Sequence, residues 1–208
     1  MKRSYKQNCA LANALDLVGE RWTLLIVREL LIGPRRYGEL LENLQGMGTN
    51  LLASRLKEMS AADLIKKEEG SYRLTDTGND LEAVVHALIR FALRLNVAPE
   101  PGFLHRTDWD AVALAALYDN TRNSGLDGLY VLLLDGAPFT VEVDGDQCAI
   151  TPGTCERPRT TVEIERRTAR KLAAGDVTLS EAFNAGEVQV TGQKSAAKKL
   201  LRALHIAD

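Results

Sequence analysis

The sequence predicts two domains, a mainly α-helical first half and an α+β second half. Apolar residues recur at helical spacing through most of residues 9–95, interrupted by one short strand-like stretch. Beyond residue 103, strand-like runs alternate with helical ones. Between the halves, Asn96-Val97-Ala98-Pro99-Glu100-Pro101-Gly102 places two prolines and a glycine within seven residues, which stops a helix and favours an extended connector. The expected boundaries are a domain at 1–97, a linker at 98–103 and a domain at 104–208.

The first helix is read at Cys9 to Gly19, on Leu11, Ala14, Leu15 and Val18. A second, strongly apolar helix runs from Trp22 to Leu31 and ends at Gly33-Pro34. A short third spans Tyr37 to Leu44, and Gln45-Gly46-Met47-Gly48 is a glycine-rich turn. Thr49 is expected to cap the fourth helix, its hydroxyl accepting from a free first-turn N–H. In that helix, Thr49 to Ser60, Leu52, Leu56 and Met59 make one buried stripe. Asn50, Ser54 and Lys57 face the other way, with Ala53 beside them. Short polar and basic side chains on a free face suit a helix lying in a DNA major groove, although an ordinary amphipathic surface helix shows the same alternation. Arg55, on the flank, is expected to reach a phosphate.

Leu64 to Leu74 reads as two short strands around Glu69-Gly70-Ser71. A hairpin directly after a helix-turn-helix is a wing, so the first half is expected to be a winged helix-turn-helix domain. Lys66, Lys67 and Arg73 bring positive charge for phosphate contact, while Glu68 and Glu69 argue against insertion of the tip into a groove. Thr75-Asp76-Thr77-Gly78 is expected to cap a long helix reaching about Val97. Its apolar residues Leu81, Val84, Val85, Leu88, Ala92 and Leu95 form a coiled-coil-like seam, broadened by Phe91. The seam suits either the protein's own first helix or a second copy, and a dimer is favoured because it reads two half-sites about 34 Å apart.

Residues 8–95 resemble the HxlR-type winged-helix regulators, relatives of the MarR group. The resemblance rests on Cys9-Ala10-Leu11-Ala12, the block from Leu15 through Gly19-Glu20-Arg21-Trp22-Thr23 to Ile26, and Arg28-Glu29-Leu30-Leu31. It continues in Gly33-Pro34-Arg35-Arg36-Tyr37-Gly38-Glu39-Leu40, Leu52-Ala53-Ser54-Arg55-Leu56-Lys57-Glu58 and Leu74-Thr75-Asp76-Thr77-Gly78. It implies dimeric regulators that bind double-stranded DNA near promoters. The chain departs from the family at Gly48-Thr49, where Ser-Pro is common, and in its short wing. Family members often carry a cysteine at the position of Cys9, and some sense oxidants or electrophiles through it. Lys2, Arg3 and Lys6 are placed to lower such a thiol's pKa. The alternative is a small apolar residue buried in the first helix.

In the second half, helices are expected at Asp110–Tyr118, Thr168–Ala173, Ser180–Ala185 and Lys194–Leu204. Strands are expected at Leu129–Leu134, Pro138–Val143, Gln147–Ile150, Thr161–Glu165 and Val188–Thr191, with Asp135-Gly136 as a hairpin turn. Residues 125–206 resemble the sterol-carrier-protein-like fold through Val162-Glu163-Ile164, Leu172-Ala173-Ala174-Gly175, Leu179-Ser180-Glu181-Ala182-Phe183 and Gly186 to Gly192. That resemblance implies a cavity for an apolar small molecule or lipid. Val131, Leu133, Phe139, Val141, Ile164, Phe183, Leu200 and Leu204 are the candidate lining; for any one of them, ordinary core is the alternative.

Composition bounds the rest. With 208 residues, 45% hydrophobic and 26% charged, the chain has material for a core and no apolar run of the ~20 residues a membrane span needs. No signal peptide is read at the polar, basic start, so a cytoplasmic location without membrane association is expected. Residues 1–96 carry 14 Lys+Arg against 12 Asp+Glu, and residues 97–208 carry 12 against 16, a neutral-to-basic module before an acidic one. Cys9, Cys148 and Cys155 form neither a disulfide framework nor a zinc pattern, and His86, His105 and His205 lie far apart. With no Gly-x-Ser-x-Gly and no phosphate-binding glycine loop, neither an enzyme nor a cofactor is expected. The function read from the sequence is a dimeric DNA-binding transcriptional regulator controlled by an apolar ligand in the second domain. The rivals are a redox switch at Cys9, and a lipid carrier or enzyme with a non-functional DNA module.

Overall fold

The computed structural model describes residues 4–95, 100, 102–122 and 125–207. The chain divides into two compact units, Met1–Phe91 and Ala92–Asp208. Most of the connector read from the sequence, Asn96 to Pro99 and Pro101, lies outside the described residues, as does the expected helix end at Val97.

Unit 1 contains α1 (Ala10–Val18), α2 (Thr23–Ile32), β1 (Arg35–Arg36), α3 (Tyr37–Asn43), α4 (Thr49–Ala61), β2 (Ile65–Glu68), β3 (Ser71–Leu74), α5 (Asp76–Asn79) and most of α6 (Leu81–Arg94). Its core is built from Ile26, Val27, Leu30, Leu40, Leu44, Leu52, Leu56, Met59, Leu64 and Ile65, all almost fully buried. The hairpin β2–β3 pairs Ile65 with Leu74 and Glu68 with Ser71. Its loop is two residues, Glu69 (φ 50°) and Gly70 (φ 82°), both left-handed as a type I′ turn requires. The sheet has a third strand that the sequence reading left unassigned. Arg35 and Arg36 pair with Tyr72 and Ser71, giving the order β1-β3-β2.

The expected long helix after the wing is two helices. Thr75 does cap, its hydroxyl accepting from Gly78 N–H at 3.0 Å, but it caps the single turn of α5, and α6 starts anew at Leu81. Close packing accounts for the separate turn. A Cβ on Gly78 would sit 1.9 Å from the Leu64 carbonyl oxygen, and the same carbonyl accepts from Thr75 N–H at 3.1 Å. The chain is thus pinned to the end of α4 before α6 leaves it.

Unit 2 contains α7 (Thr107–Leu117), a 3₁₀ turn at Asn120–Arg122, β4 (Gly128–Leu134), β5 (Ala137–Asp144), β6 (Gln147–Pro152), β7 (Thr160–Ile164), α8 (Arg166–Ala174), α9 (Leu179–Asn184), β8 (Val188–Gly192) and α10 (Lys194–Ala203). The strands form one sheet of order β6-β5-β4-β7-β8. The pair β4–β7 is parallel and the other pairs are antiparallel. Asp135-Gly136 makes the β4–β5 turn with φ 52° and 78°, a second type I′ hairpin. This is the α+β architecture expected. Tyr130, Leu132 and Leu134 of β4 point to one face with Phe139, Val141, Val143, Val162 and Ile164, where Leu172, Ala182, Ala197, Leu200, Leu201 and Leu204 of the helices cover them.

Gly78→Ala drives a methyl group into backbone. It is expected to cost unit 1 ~3 kcal/mol, measured as a lower urea midpoint of the full chain. An unchanged midpoint would mean that the Leu64 carbonyl yields without cost.

Candidate nucleic-acid interface

Helix α4 meets the rest of unit 1 through Leu52, Leu56 and Met59, which are 0%, 2% and 2% exposed. Asn50, Ala53, Ser54 and Lys57 are all exposed. The Ser54 hydroxyl donates to Glu58 Oε1 at 3.0 Å. At the start of α4, the Tyr37 hydroxyl donates to the Thr49 carbonyl at 2.8 Å and ties the helix to α3. Helices α2 and α3 are joined by Glu29, a fully buried carboxylate that accepts from the Asn43 side chain at 2.8 Å and pairs with Arg28 at 2.6 Å. A buried carboxylate is tolerated only with such partners.

Two sequence expectations on this helix are corrected. Thr49 does not cap it. Gly48 occupies the N-cap position with extended backbone and no side-chain cap, and Thr49 is already helical, so the first-turn N–H groups stay open. Arg55 does not stand free for a phosphate. It is a buried residue, and its guanidinium pairs with Glu58 at 2.7 Å and with Glu20 at 3.3 Å. The Glu20 pair fastens α4 to the turn between α1 and α2, while the Glu58 pair, within α4, holds the guanidinium in place. Glu20 was not among the expected site residues, yet it orients the helix.

The wing's cations are partly engaged. Lys66 and Arg73 both pair with Glu68, at 2.8 and 3.2 Å. The hydrogen bond from Lys66, with the charge of Arg73 behind it, holds the Glu68 carboxyl below its ordinary pKa. Lys67 lies over the Tyr72 ring, 5.4 Å from its centre. The cations are exposed, so solvent screening leaves these pairs weak.

The seam residues are mostly uncovered. Val85 is buried, but Val84, Leu88, Phe91 and Leu95 are 41–57% exposed, and Leu81 is half-buried. On α1, Leu11, Leu15 and Leu17 are also exposed, and only Ala12 is buried.

Cys9 is exposed at the N-cap position of α1. The nearby backbone N–H groups of Ala12 and Leu11 hold its thiol pKa below the ordinary value. Lys2 and Arg3 lie outside the described residues. Cys148, half-buried in β6, is pushed up to about 12 by burial.

The apolar cavity expected in unit 2 meets a packed core. Phe139, Val141, Ile164, Leu200 and Leu204 are fully packed there, with Phe183 partly buried against them. Val131 and Leu133 are corrected outright. Their cross-strand partners are Thr140 and Pro138, and Thr161 and Glu163, so strand alternation puts them on the opposite sheet face from Phe139 and Val141. A surface cavity of about 400 Å³ lies elsewhere, and most of its side chains are polar or charged. It is lined by Asp135, Glu163, Glu165, Arg167, Thr168 and Glu187 among others, and of the eight candidates only Ile164 reaches it. Among the described residues no His, Cys, Asp or Glu group is arranged to hold a metal, and no helix is long and apolar enough to cross a membrane.

Residues 17–98 match the family model described as HxlR-like helix-turn-helix. An uncharacterized HTH-type transcriptional regulator of Mycobacterium tuberculosis is 40% identical over 98 residues, 44% of this chain and 61% of that protein. The match thus spans less than two thirds of that relative's length. The HTH-type transcriptional regulator YodB of Bacillus subtilis is 31% identical over 87 residues, 38% of this chain and 78% of YodB. Its quinone-bound crystal structure covers 41% of this chain and 98% of its own, with 32% identity and a TM-score of 0.39. A sterol carrier protein 2-like 2 structure from Aedes aegypti covers 58% of this chain and 94% of its own, with 16% identity and a TM-score of 0.33. With its helix-turn-helix intact and four fifths of YodB's length aligned at this identity, the chain belongs to the HxlR-like helix-turn-helix family.

Proposed function

We propose that this protein is a homodimeric transcriptional regulator that reads double-stranded DNA with α4. The observation that carries the reading is the division of α4 itself. Its apolar stripe is buried and its Arg55 is tied inward, which leaves Asn50, Ala53, Ser54 and Lys57 together on a free face. Asn50 has the donor and acceptor pair that suits an adenine edge. Ala53 and Ser54 permit close approach to the bases, and Ser54 can turn its hydroxyl from Glu58 to a base. Lys57 supplies charge for a phosphate, and the open N–H groups at the start of α4 favour an anion there. In the wing, Lys67 is the first phosphate contact, and Lys66 and Arg73 follow by exchanging Glu68 for phosphate, a weak pair for a charge-assisted bond. The exposed residues of α6, with Leu11 and Leu15 of α1, supply the apolar surface that a second copy would cover.

Operator selection from a random duplex library with the full chain tests this. Lys57→Ala is expected to lower affinity uniformly and to reduce the salt slope by about 1, while Asn50→Ala relaxes one base position at a cost of about 1–3 kcal/mol. Wild-type affinity insensitive to salt and to Lys57→Ala would reject DNA reading. Leu88→Glu with Phe91→Glu is expected to give a monomer in analytical ultracentrifugation, with weakened operator binding. A dimer that persists in that variant rejects the α6 interface.

A second reading concerns control, and the position of Cys9 favours it. Cys9 is an exposed thiol at a helix N-cap whose pKa is lowered by backbone N–H groups, and YodB has been crystallised with bound quinone. The thiolate would add to a quinone ring carbon, and the ring would take up a proton to become the hydroquinone. Because the folded state lowers the Cys9 pKa and raises that of Cys148 to about 12, Cys9 should alkylate at much lower pH. Peptide mass spectrometry after a pH series with iodoacetamide measures this. Cys9→Ser should keep DNA binding and lose its release by quinone; release that survives in Cys9→Ser removes the switch.

A further inference from the structure

Unit 2 is acidic by count, but its charge is sorted by surface. Helix α8 contains Arg166, Arg167, Arg170 and Lys171, and α10 contains Lys194, Lys198, Lys199 and Arg202. Neither helix contains an acidic residue. Both cover the same sheet face, through Leu172 and through Ala197, Leu200 and Leu201. The opposite face of the sheet presents Glu142 and Glu163, both exposed.

This sorting works against helix stability in two ways. Lys194, Lys198 and Arg202 are spaced i, i+4, i+8, and Arg166–Arg170 and Arg167–Lys171 are also i, i+4 pairs. Like charges at that spacing cost about 0.2–0.5 kcal/mol per pair. The first turn of α10 holds Lys194 and no carboxylate, opposite to what the helix dipole favours, whereas α8 has Glu165 at its N-cap and the Asp135 carboxylate accepting from Arg166 N–H at 2.9 Å. Arg166 is neutralised by Asp110 and Asp135, at 2.6 and 3.0 Å, and Arg167 by Glu165 at 2.8 Å. Arg170, Lys171, Lys194, Lys198 and Arg202 are exposed and have no carboxylate within ion-pair distance among the described residues. A polyanion would relieve this repulsion.

We infer that the outer face of α8 and α10 is a second, sequence-independent phosphate-binding surface for double-stranded DNA. The inference rests on the reading that unit 1 binds DNA. Unit 1 would hold unit 2 beside the duplex at high effective concentration, so a few weak phosphate contacts suffice. The stripe Lys194–Lys198–Arg202 is about 12 Å long, long enough to meet more than one phosphate on a strand.

The test uses the full chain and a random-sequence duplex about four helical turns long, titrated at several salt concentrations. For K194Q/K198Q/R202Q, the salt slope should fall by about 2–3 and affinity should drop at least about tenfold at low salt. Its melting temperature should stay the same or rise, because repulsion is removed. The two DNA readings separate through Lys57→Ala. Weakening by Lys57→Ala but not by the triple variant overturns the second surface and keeps the first. Weakening by the triple variant alone does the reverse. Vesicles of phosphatidylglycerol are the control: binding to them that the triple variant abolishes, with its duplex slope unchanged, overturns the DNA assignment in favour of a membrane surface.

Discussion

The burial of Leu52, Leu56 and Met59 is the constraint on which the rest of unit 1 depends. Each such side chain contributes about 1.5–3 kcal/mol when fully buried, so rotating α4 about its axis would forfeit most of that. The stripe therefore decides which residues of α4 remain outside. Arg55 makes the docking directional. Its pair with Glu20 resists sliding or tilting that apolar contact alone would allow, and Glu58, one turn on in α4, orients the guanidinium for it. The hydrogen bond from Tyr37 to the Thr49 carbonyl, and the Asn43–Glu29 contact, extend the same control to α3 and α2. The wing then follows from the end of α4, where the Leu64 carbonyl is closed over by Thr75 and Gly78.

Unit 2 obeys a different period. Alternate residues of β4, β5 and β7 supply one apolar face, and the helices lie on it. A one-residue error in reading a strand moves a side chain to the other face. The sequence reading made that error in β4 by grouping Val131 and Leu133 with Phe139 and Val141. All of them are apolar, and Val131 is buried on either assignment, so hydrophobicity alone gives no warning. Pairing settles it, because Val131 stands across from Thr140 and Leu132 across from Phe139.

Most of the architecture was legible because it follows from local rules. Helical stripes, the Asp135-Gly136 turn and the expected strands recur in the structure, and the turn expected at Glu69-Gly70-Ser71 is the two residues Glu69-Gly70, with Ser71 already in β3. What escaped depends on partners distant in sequence. The two-residue strand β1 exists only because β3 lies beside it. The break before α6 comes from Gly78 meeting the Leu64 carbonyl. Thr49 has the right chemistry for a cap, but the cap position falls one residue earlier, on Gly48, and Thr49 is already helical. Arg55 was the most readable of the misses. At about 100° per residue it lies about 60° from Leu52, nearer the buried stripe than the free face. An arginine there needs an acidic partner, and Glu58, three residues on, is the near one.

Net charge conceals how this chain distributes its cations. Unit 1 carries slightly more basic than acidic residues, yet Arg28, Arg55, Lys66 and Arg73 are each tied to a carboxylate. The free positive charge near α4 is thus smaller than the sequence suggests. Unit 2 is acidic in total, yet its helical layer keeps several cations with no counter-charge. Its carboxylates lie elsewhere: on the opposite sheet face at Glu142 and Glu163, around the cavity beside Glu165 and Glu187, in the loops, and on α7 and α9. A polyanion meets local charge rather than net charge, because charges more than a Debye length away, about 8–10 Å at physiological salt, are largely screened. On that ground the two units are nearer to each other in electrostatic character than their composition implies, and the acidic half is no obstacle to lying along a phosphate backbone.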